Sequence, residues 1–406
     1  MTKKKLPTQV WLLGGVSFFA DVSGEMIYPL LPLFIVAVLH ASATDMGWIE
    51  GIAQGTVALV AAWAGIRSDR FRKRVPWVRW GYTLPVVGKA ILVAATSWPF
   101  VLLGRTVDRL GKGFRSSPRD ALIADVVDDD QRGRAYGLDR ALDTAGALVG
   151  VVMAALLLYW LSGTPNGTGT PSTDPRPYRI IFAIAAAMGV CSAALTFAVK
   201  DPVEPAPAHP GSVPVSSALP AAYWRVFAIL ILFAIANSSD TFLLLRAQNV
   251  GLSAWAVVAA YAMYNVLYAA ISYPAGVLSD RWGRWRVIAV GWVLYAGVYA
   301  GFALANATTI WPLFCVYGIY MALTDGVGKA LIADVAPKAQ RGRAMGLFYL
   351  GTGIATIASS VIAGLLWDRL SPSAPFWLGA GTAVVALVVL VIARPRRAAA
   401  SVAADQ

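Results

Sequence analysis

Twelve apolar runs, separated by short polar breaks, alternate along the chain at 10–39, 46–66, 76–96, 98–127, 134–161, 179–199, 223–247, 253–278, 286–305, 309–335, 342–367 and 374–393. About 20 helical residues rise roughly 30 Å, the thickness of a bilayer's hydrocarbon core. Only a helix or a closed barrel satisfies its own backbone polar groups there. Runs of this length predict an all-α polytopic membrane protein with twelve transmembrane helices. Two breaks are longer than the rest: SGTPNGTGTPSTDPRP at 162–177 and DPVEPAPAHPGSVPVSSA at 201–218. Both are rich in Pro, Ser and Gly and predict extended or disordered segments. The second lies midway, so the chain divides into a six-helix bundle over 1–200, a linker over 201–222 and a second six-helix bundle over 223–406.

Self-comparison strengthens this division. ALIADVVDDDQRGRAYGL at 121–138 aligns without gaps on ALIADVAPKAQRGRAMGL at 330–347, an offset of 209 residues. GIRSDRFRKR at 65–74 matches GVLSDRWGRW at 276–285 in the same way. Similar motifs at similar depth, with the same orientation, predict parallel repeats related by an axis along the membrane normal.

Composition agrees with the hydropathy pattern: 58% of the 406 residues are hydrophobic, 14% are charged, and the mean hydropathy is +0.62. These values exclude an ordinary soluble enzyme, a disordered chain and a disulfide-stapled module. The net charge of +12 would admit a nucleic-acid partner if it formed a soluble basic domain, but the bases are confined to particular loops. Lys3, Lys4, Lys5, Arg67 to Arg74, Arg281 to Arg286 and Arg394 to Arg397 lie at the termini and in even-to-odd loops. Only Arg176, Arg179, Arg246 and Arg369 lie on or beside the opposite loops. The positive-inside bias therefore predicts two cytoplasmic termini. The first run is too long for a signal-peptide core and is expected to be retained as a helix. Cys191 and Cys315 are far apart within apolar runs, and no spacing of His or Cys predicts a metal or cofactor site. His40 and His209 fall in loops and are not expected to carry protons. Tryptophans at run ends, such as Trp48, Trp160 and Trp224, read as interfacial anchors.

The duplicated loop motif resembles the signature of the major facilitator superfamily. That signature lies between the second and third helices and runs Gly, three residues, Asp-Arg and further bases. Gly65, Asp69, Arg70 and Arg74 fit it, and Gly276, Asp280, Arg281 and Arg284 repeat it between the eighth and ninth runs. The resemblance covers nearly the whole chain and implies a secondary transporter that rocks its halves around a midplane site. In physical terms the Gly would allow close helix approach, and the Asp would face helix dipoles and Arg as a latch between the halves. Gly137, Gly146 and Gly150 hold the spacing of a fifth-helix pattern common in exporters of this superfamily. Val151, Ala154 and Ala155 stand where the pattern has Pro and two Gly, so small residues persist without the kink. Small residues at this spacing also simply permit tight packing.

Charges at bilayer depth cost roughly 2.5–3.5 kcal/mol each and therefore tend to face a cavity or one another. The first run holds Asp21 and Glu25 one helical turn apart on one face, followed by Pro29 and Pro32, which should bend the helix. Two carboxylates sharing a low-dielectric face repel when both are charged, which makes them candidate proton carriers. Permanent pairing with bases of the fourth run is the alternative. That run carries Arg105, Asp108, Arg109, Lys112, Arg115, Arg119 and Asp120, five bases against two acids. Adding Glu50, Lys89, Asp139, Arg140 and Asp143 brings the first half's membrane charges to zero, as expected of a compensated network around a wet cavity. Arg109, Lys112, Asp139, Arg140, Asp143 and Arg246 are the candidate cavity residues. Arg115 and Arg119, nearer the cytoplasmic end, are expected to snorkel or to pair with Asp125. Asp240, near the repeat position of the first-run acids, is a third proton-coupling candidate. The sparser second half is expected to supply more of the apolar wall.

The leading expectation is proton-coupled efflux of a small organic solute by a monomeric chain in a bacterial inner membrane. The alternatives are uptake or facilitated movement of an anionic metabolite drawn by Arg109 and Lys112, or metal-ion export. A lipid flippase would need a lateral opening, and a transport-dead sensor would need a larger soluble segment. No phosphate-binding loop, nucleophile elbow or metalloprotease motif points to an enzyme.

Overall fold

The computed structural model describes residues 6–71, 73–127, 132–161, 173–201, 218–337 and 341–393. Residues 162–172 and 202–217, the greater part of both Pro-rich excursions, fall outside this set. Among the described residues every regular element is helical, and the elements follow the twelve predicted runs. Helix α1 is Thr8–Ile27, continued past a turn by Leu31–Leu33 and a π-helical turn at Phe34–Val38. In the first half α2 is Ala43–Phe71, α3 Val75–Ala94, α4 Trp98–Asp125, α5 Arg132–Leu161 and α6 Pro175–Leu195. In the second half α7 is Ala221–Ala236 and, after a break, Thr241–Asn249, followed by α8 Ala254–Trp282 and α9 Arg284–Ala303. The chain continues with α10 Ile310–Val335, α11 Arg341–Arg369 and α12 Ala374–Ala393. Among the described residues nine of these rods are long and apolar enough to cross a membrane. Helices α2, α3 and α4 have comparable length, but their polar residues keep them below that threshold.

The expected bend in α1 falls at a turn whose flanking residues, Tyr28 and Leu30, keep helical backbone angles. Regular α-helix ends at Ile27 and a turn spans 28–30, because Pro29 and Pro32 supply no N–H to the helical ladder. The sequence pattern predicts α7 as continuous over 223–247, and the structure breaks it at 237–240, where Asn237, Ser238, Ser239 and Asp240 interrupt the apolar run. Short polar side chains compete with the backbone for its hydrogen bonds, which is the local cause. The Ser239 hydroxyl accepts from the Thr241 hydroxyl at 2.9 Å. Tyr28 and Asn237 stand 209 residues apart, so the two breaks are themselves part of the repeat. At that offset Asp240 corresponds to Leu31 and not to Asp21 or Glu25.

Helix α1 packs along α5, α3 along α4, and α2 along α4, while α10 lies between α8 and α9. The helix 5 glycines serve close packing. A Cβ on Gly146 would collide with the Phe18 carbonyl oxygen, and one on Gly150 with that of Val22. No kink forms, and α5 is one continuous helix. The side chain of Arg140 and the surroundings of Gly137 lie outside the described residues.

The halves meet where α2 runs beside α11 and α5 beside α8. At the end remote from the chain termini this seam is closed. Asp368, on α11, accepts hydrogen bonds from Ala43 N at 3.1 Å, Thr44 N at 2.8 Å and Thr44 Oγ1 at 2.6 Å. One half thus caps the first turn of a helix in the other, satisfying N–H groups that the helix itself cannot. Close to this cap, Gly47 lies against the Ser360 carbonyl and Gly364 against that of Ala43. Replacing Asp368 with Ala should remove about 1–2 kcal/mol from the state closed at this end. Spin labels at Ala41 and Ser371 would report this as a new population at longer distance. An unchanged distance distribution would show that the cap does not hold the seam.

Candidate functional site

Helix α4 holds its charges in the protein by distributing them among neighbours. Arg105 grips Glu50 of α2 with two hydrogen bonds, at 3.0 and 3.3 Å, and both residues are buried. Asp108 receives Lys89 of α3 at 3.2 Å and lies 3.9 Å from both Arg105 and Arg109. The Arg105 guanidinium also sits over the Tyr28 ring of α1, 5.4 Å from its centroid. Roughly two to three turns nearer the terminal end, Arg115 stacks on Tyr82 and donates to the Gly81 carbonyl. Arg119 binds Ser17 at 2.6 Å and Asp139 at 3.0 Å, and lies 3.6 Å from Asp143. This corrects the expectation for Arg119: its described carboxylates are Asp139 and Asp143 of α5 and, at 3.4 Å, its own neighbour Asp120, and the side chain of Asp125 is outside the described set. Asp139 and Asp143, expected in the cavity, are thereby drawn into a clip that ties α1, α4 and α5 together.

Once these pairs are drawn, Arg109 and Lys112 remain without close partners. The Lys112 ammonium has no hydrogen bond or ion pair among the described residues and the residue is exposed, although it stands within electrostatic reach of Asp21 and Glu25. An exposed ammonium facing the acids of a neighbouring helix marks an open space between them. The Arg109 Nε is buried without a hydrogen bond, and its nearest carboxylate is Asp108 at 3.9 Å. Asp21 and Glu25 are partly exposed on the opposing wall. Neither lies within 4 Å of a base among the described ion pairs. Asp21, Glu25 and Lys112 thus keep exposed surface on facing helices, and the space they border is termed the chamber.

Glu25 also reaches across to the second half. Tyr261 of α8 donates its hydroxyl to Glu25 Oε2 at 3.3 Å, and the rings of Tyr28 and Tyr261 pack 5.6 Å apart. Asp240, at the break in α7, accepts from the Tyr317 hydroxyl at 2.6 Å and lies within electrostatic reach of Glu25 and Glu50. Its described partners are all neutral. The wall around it corrects the expectation of an apolar second half. Tyr261, Tyr264 and Tyr268 of α8, Tyr295 and Tyr299 of α9, and Tyr317 and Tyr320 of α10 form a continuous aromatic cluster. The signal lies in the sequence, since spacings of three, four and seven place each set on one helix face.

Arg246 is not in this chamber. It donates to the carbonyls of Phe302 at 3.0 Å and Ala303 at 2.9 Å and to Asn249 Oδ1 at 2.7 Å. A guanidinium at the carbonyl end of α9 satisfies acceptors that the helix leaves open and complements its dipole. The described contacts of the duplicated loop motif stay within each half. Arg284 pairs with Asp334 and donates to Ser279, while the backbone N–H groups of Arg74 and Val75 are capped by Asp201. A Cβ on Gly276 would meet open space, so that glycine is not needed there for close approach. Arg281 is exposed. The surroundings of Gly65 and the side chains of Asp69, Arg70 and Asp280 lie outside the described residues.

A chain with an internal sequence repeat, nine described rods long and apolar enough to cross a membrane, and charged side chains held between them has the architecture of a membrane transporter. The Major Facilitator Superfamily model matches over residues 13–327 and 247–406, and the chain belongs to that family. It is 32% identical over 398 residues to an uncharacterized MFS-type transporter of Methanocaldococcus jannaschii, with 96% of this chain and 95% of that protein covered. It is 25% identical over 394 residues to the multidrug resistance protein MdtH of Aeromonas hydrophila, with 94% of each covered. Among solved structures, the nucleoside transporter NupG superposes with a TM-score of 0.73 at 14% identity, covering 96% of this chain and all of that one. An auto-inhibited POT family peptide transporter gives a TM-score of 0.73 at 15% identity, with 96% and 98% covered. These structural likenesses establish the fold. The chain is a multi-pass membrane transporter, not an enzyme.

Proposed function

We propose that this transporter exports a small organic solute in exchange for protons, working as a monomer in a bacterial inner membrane with both termini cytoplasmic. The observation that carries the reading is the position of Glu25. It hydrogen-bonds across the seam to Tyr261 and stands within electrostatic reach of Lys112 in one half and Asp240 in the other. A deprotonated carboxylate there attracts a cationic or hydrogen-bond-donating solute group, and a proton on the same oxygen removes that attraction. Occupancy by proton and by solute then exclude one another, which is the differential affinity that alternating access needs for exchange. With cytoplasmic termini, the end closed by Asp368 faces outward, and this structure is closed to the outside. Efflux is further supported by the packing glycines of α5 and by the MdtH relative.

The test is reconstitution in vesicles with an imposed pH gradient and a trapped pH indicator, scanned against a solute panel. A transported solute should dissipate the gradient in proportion to its flux. A solute that crosses without moving protons would overturn the coupling. The second reading, movement of an anionic metabolite, is favoured by the exposed Lys112 ammonium and by the Arg109 Nε that lacks a hydrogen-bond acceptor, and it predicts that Arg109→Ala weakens anionic solutes more than neutral ones in the same assay.

A further inference from the structure

The chamber carries two unsatisfied charges of opposite sign on different halves. On the first half, the Lys112 ammonium is exposed without a hydrogen bond or ion pair among the described residues, and Arg109 beside it keeps a buried Nε with no acceptor, its described carboxylate, Asp108, being 3.9 Å away. On the second half, Asp240 is partly exposed and has no basic partner among the described residues. Its hydrogen bond comes from the neutral Tyr317. All other bases of α4 described above have acceptors, so Arg109 and Lys112 are the ones free to take a ligand's anionic group. A carboxylate backed by tyrosines is a suitable counterpart for an ammonium group, since aromatic faces add cation–π attraction to the charge pairing. Glu25 is within electrostatic reach of both Lys112 and Asp240. Lys112 and Asp240 form no ion pair with each other among the described residues, so the poles are not in contact.

We infer that the substrate is a zwitterion whose anionic and cationic groups are held apart by a spacer, its carboxylate or similar anion at Arg109 and Lys112 and its ammonium group at Asp240. A ligand with only one of these charges leaves the opposite pole desolvated and unmatched, a discrimination stronger than apolar contact gives. Because the ligand touches both halves, it also draws them together around itself. This inference rests on the transport reading above, since it assigns a substrate class to the same chamber.

The experiment is equilibrium binding to the full-length protein in nanodiscs, at one pH and without a gradient, followed by calorimetry. The probes are linear α,ω-amino carboxylates of increasing methylene number, with n-alkylamines and n-alkanoates of matching length as single-charge controls. At one length the amino carboxylate should bind at least tenfold tighter than either control. Lys112→Gln should bring it down to the level of the amine and leave the amine unchanged, and Lys112→Arg should keep the preference. Asp240→Asn should bring it down to the level of the alkanoate. The inference is overturned if no length exceeds its controls, if nothing in the series binds, or if both substitutions weaken all probes alike. The wild-type length series decides the matter even if a variant fails to fold. Tight zwitterion binding without proton movement in vesicles would refute the coupling while leaving this inference intact. Proton-coupled transport of a singly charged solute alone would do the reverse.

Discussion

Glu25→Gln is expected to reduce solute-driven proton movement to the protein-free background and to hold solute affinity, whatever the pH, at the weaker value of the protonated wild type. Gln keeps the size of Glu and an acceptor oxygen for the Tyr261 hydroxyl, and it removes only the titratable proton. The seam contact at 3.3 Å and the packing of Tyr28 on Tyr261 should therefore persist. Counterflow, in which labelled and unlabelled solute exchange without net proton flux, separates the two functions and should survive the substitution. If the variant still acidifies vesicles at the wild-type rate, Glu25 has no part in coupling, and Asp21 or Asp240 must carry the proton.

The largest effect on stability is expected from Glu50→Ala. The Arg105–Glu50 pair is buried on both sides, and deleting the acid leaves a guanidinium whose remaining carboxylate contact, Asp108, is 3.9 Å away. Breaking a buried pair from one side costs about 3–5 kcal/mol, mostly through the charge left behind. Thermal unfolding in detergent should show a pronounced drop in midpoint. The double variant Glu50→Met, Arg105→Met should recover most of it, because an apolar pair of similar volume replaces both charges at once. A double variant as unstable as the single one would mean that Arg105 has further duties, the Tyr28 ring being the first to examine.

Much of the fold is legible in the sequence because lipid imposes a single solution on each apolar run, and the duplicated ALIAD and GxxxDR segments fix how the runs group. The break in α1 is announced by Pro29 and Pro32. The break in α7 carries no proline, and four consecutive polar residues at 237–240 are easily read as polar positions within a helix. In the chamber, the acids of α1 and the bases of α4 are visible from composition alone, since charge at such depth demands a reason. Which base meets which acid is not visible. Arg119 turns to α5, Arg105 to α2 and Lys89 to Asp108 through contacts set by how the helices pack side by side, and helical period within one segment says nothing about that. Arg246 misleads for the same reason: its spacing on α7 places it near Asp240 in sequence, but its acceptors are the last carbonyls of α9. Asp368 is further still from legibility, because its partners at Ala43 and Thr44 are more than 300 residues away in the chain.

The uneven distribution of apolar length has a consequence for biogenesis. Helices α2, α3 and α4 bring Glu50, Lys89 and the bases of α4 into a layer where none of them is stable alone. Side by side the three still carry an excess of positive charge, which only the acids of α1 and α5 offset. A nascent chain halted after α4 therefore holds its most polar segment without the α5 carboxylates that Arg119 requires. Partitioning from the translocon into lipid should proceed by groups of segments, with α4 retained at the protein-conducting channel until α5 has been synthesised.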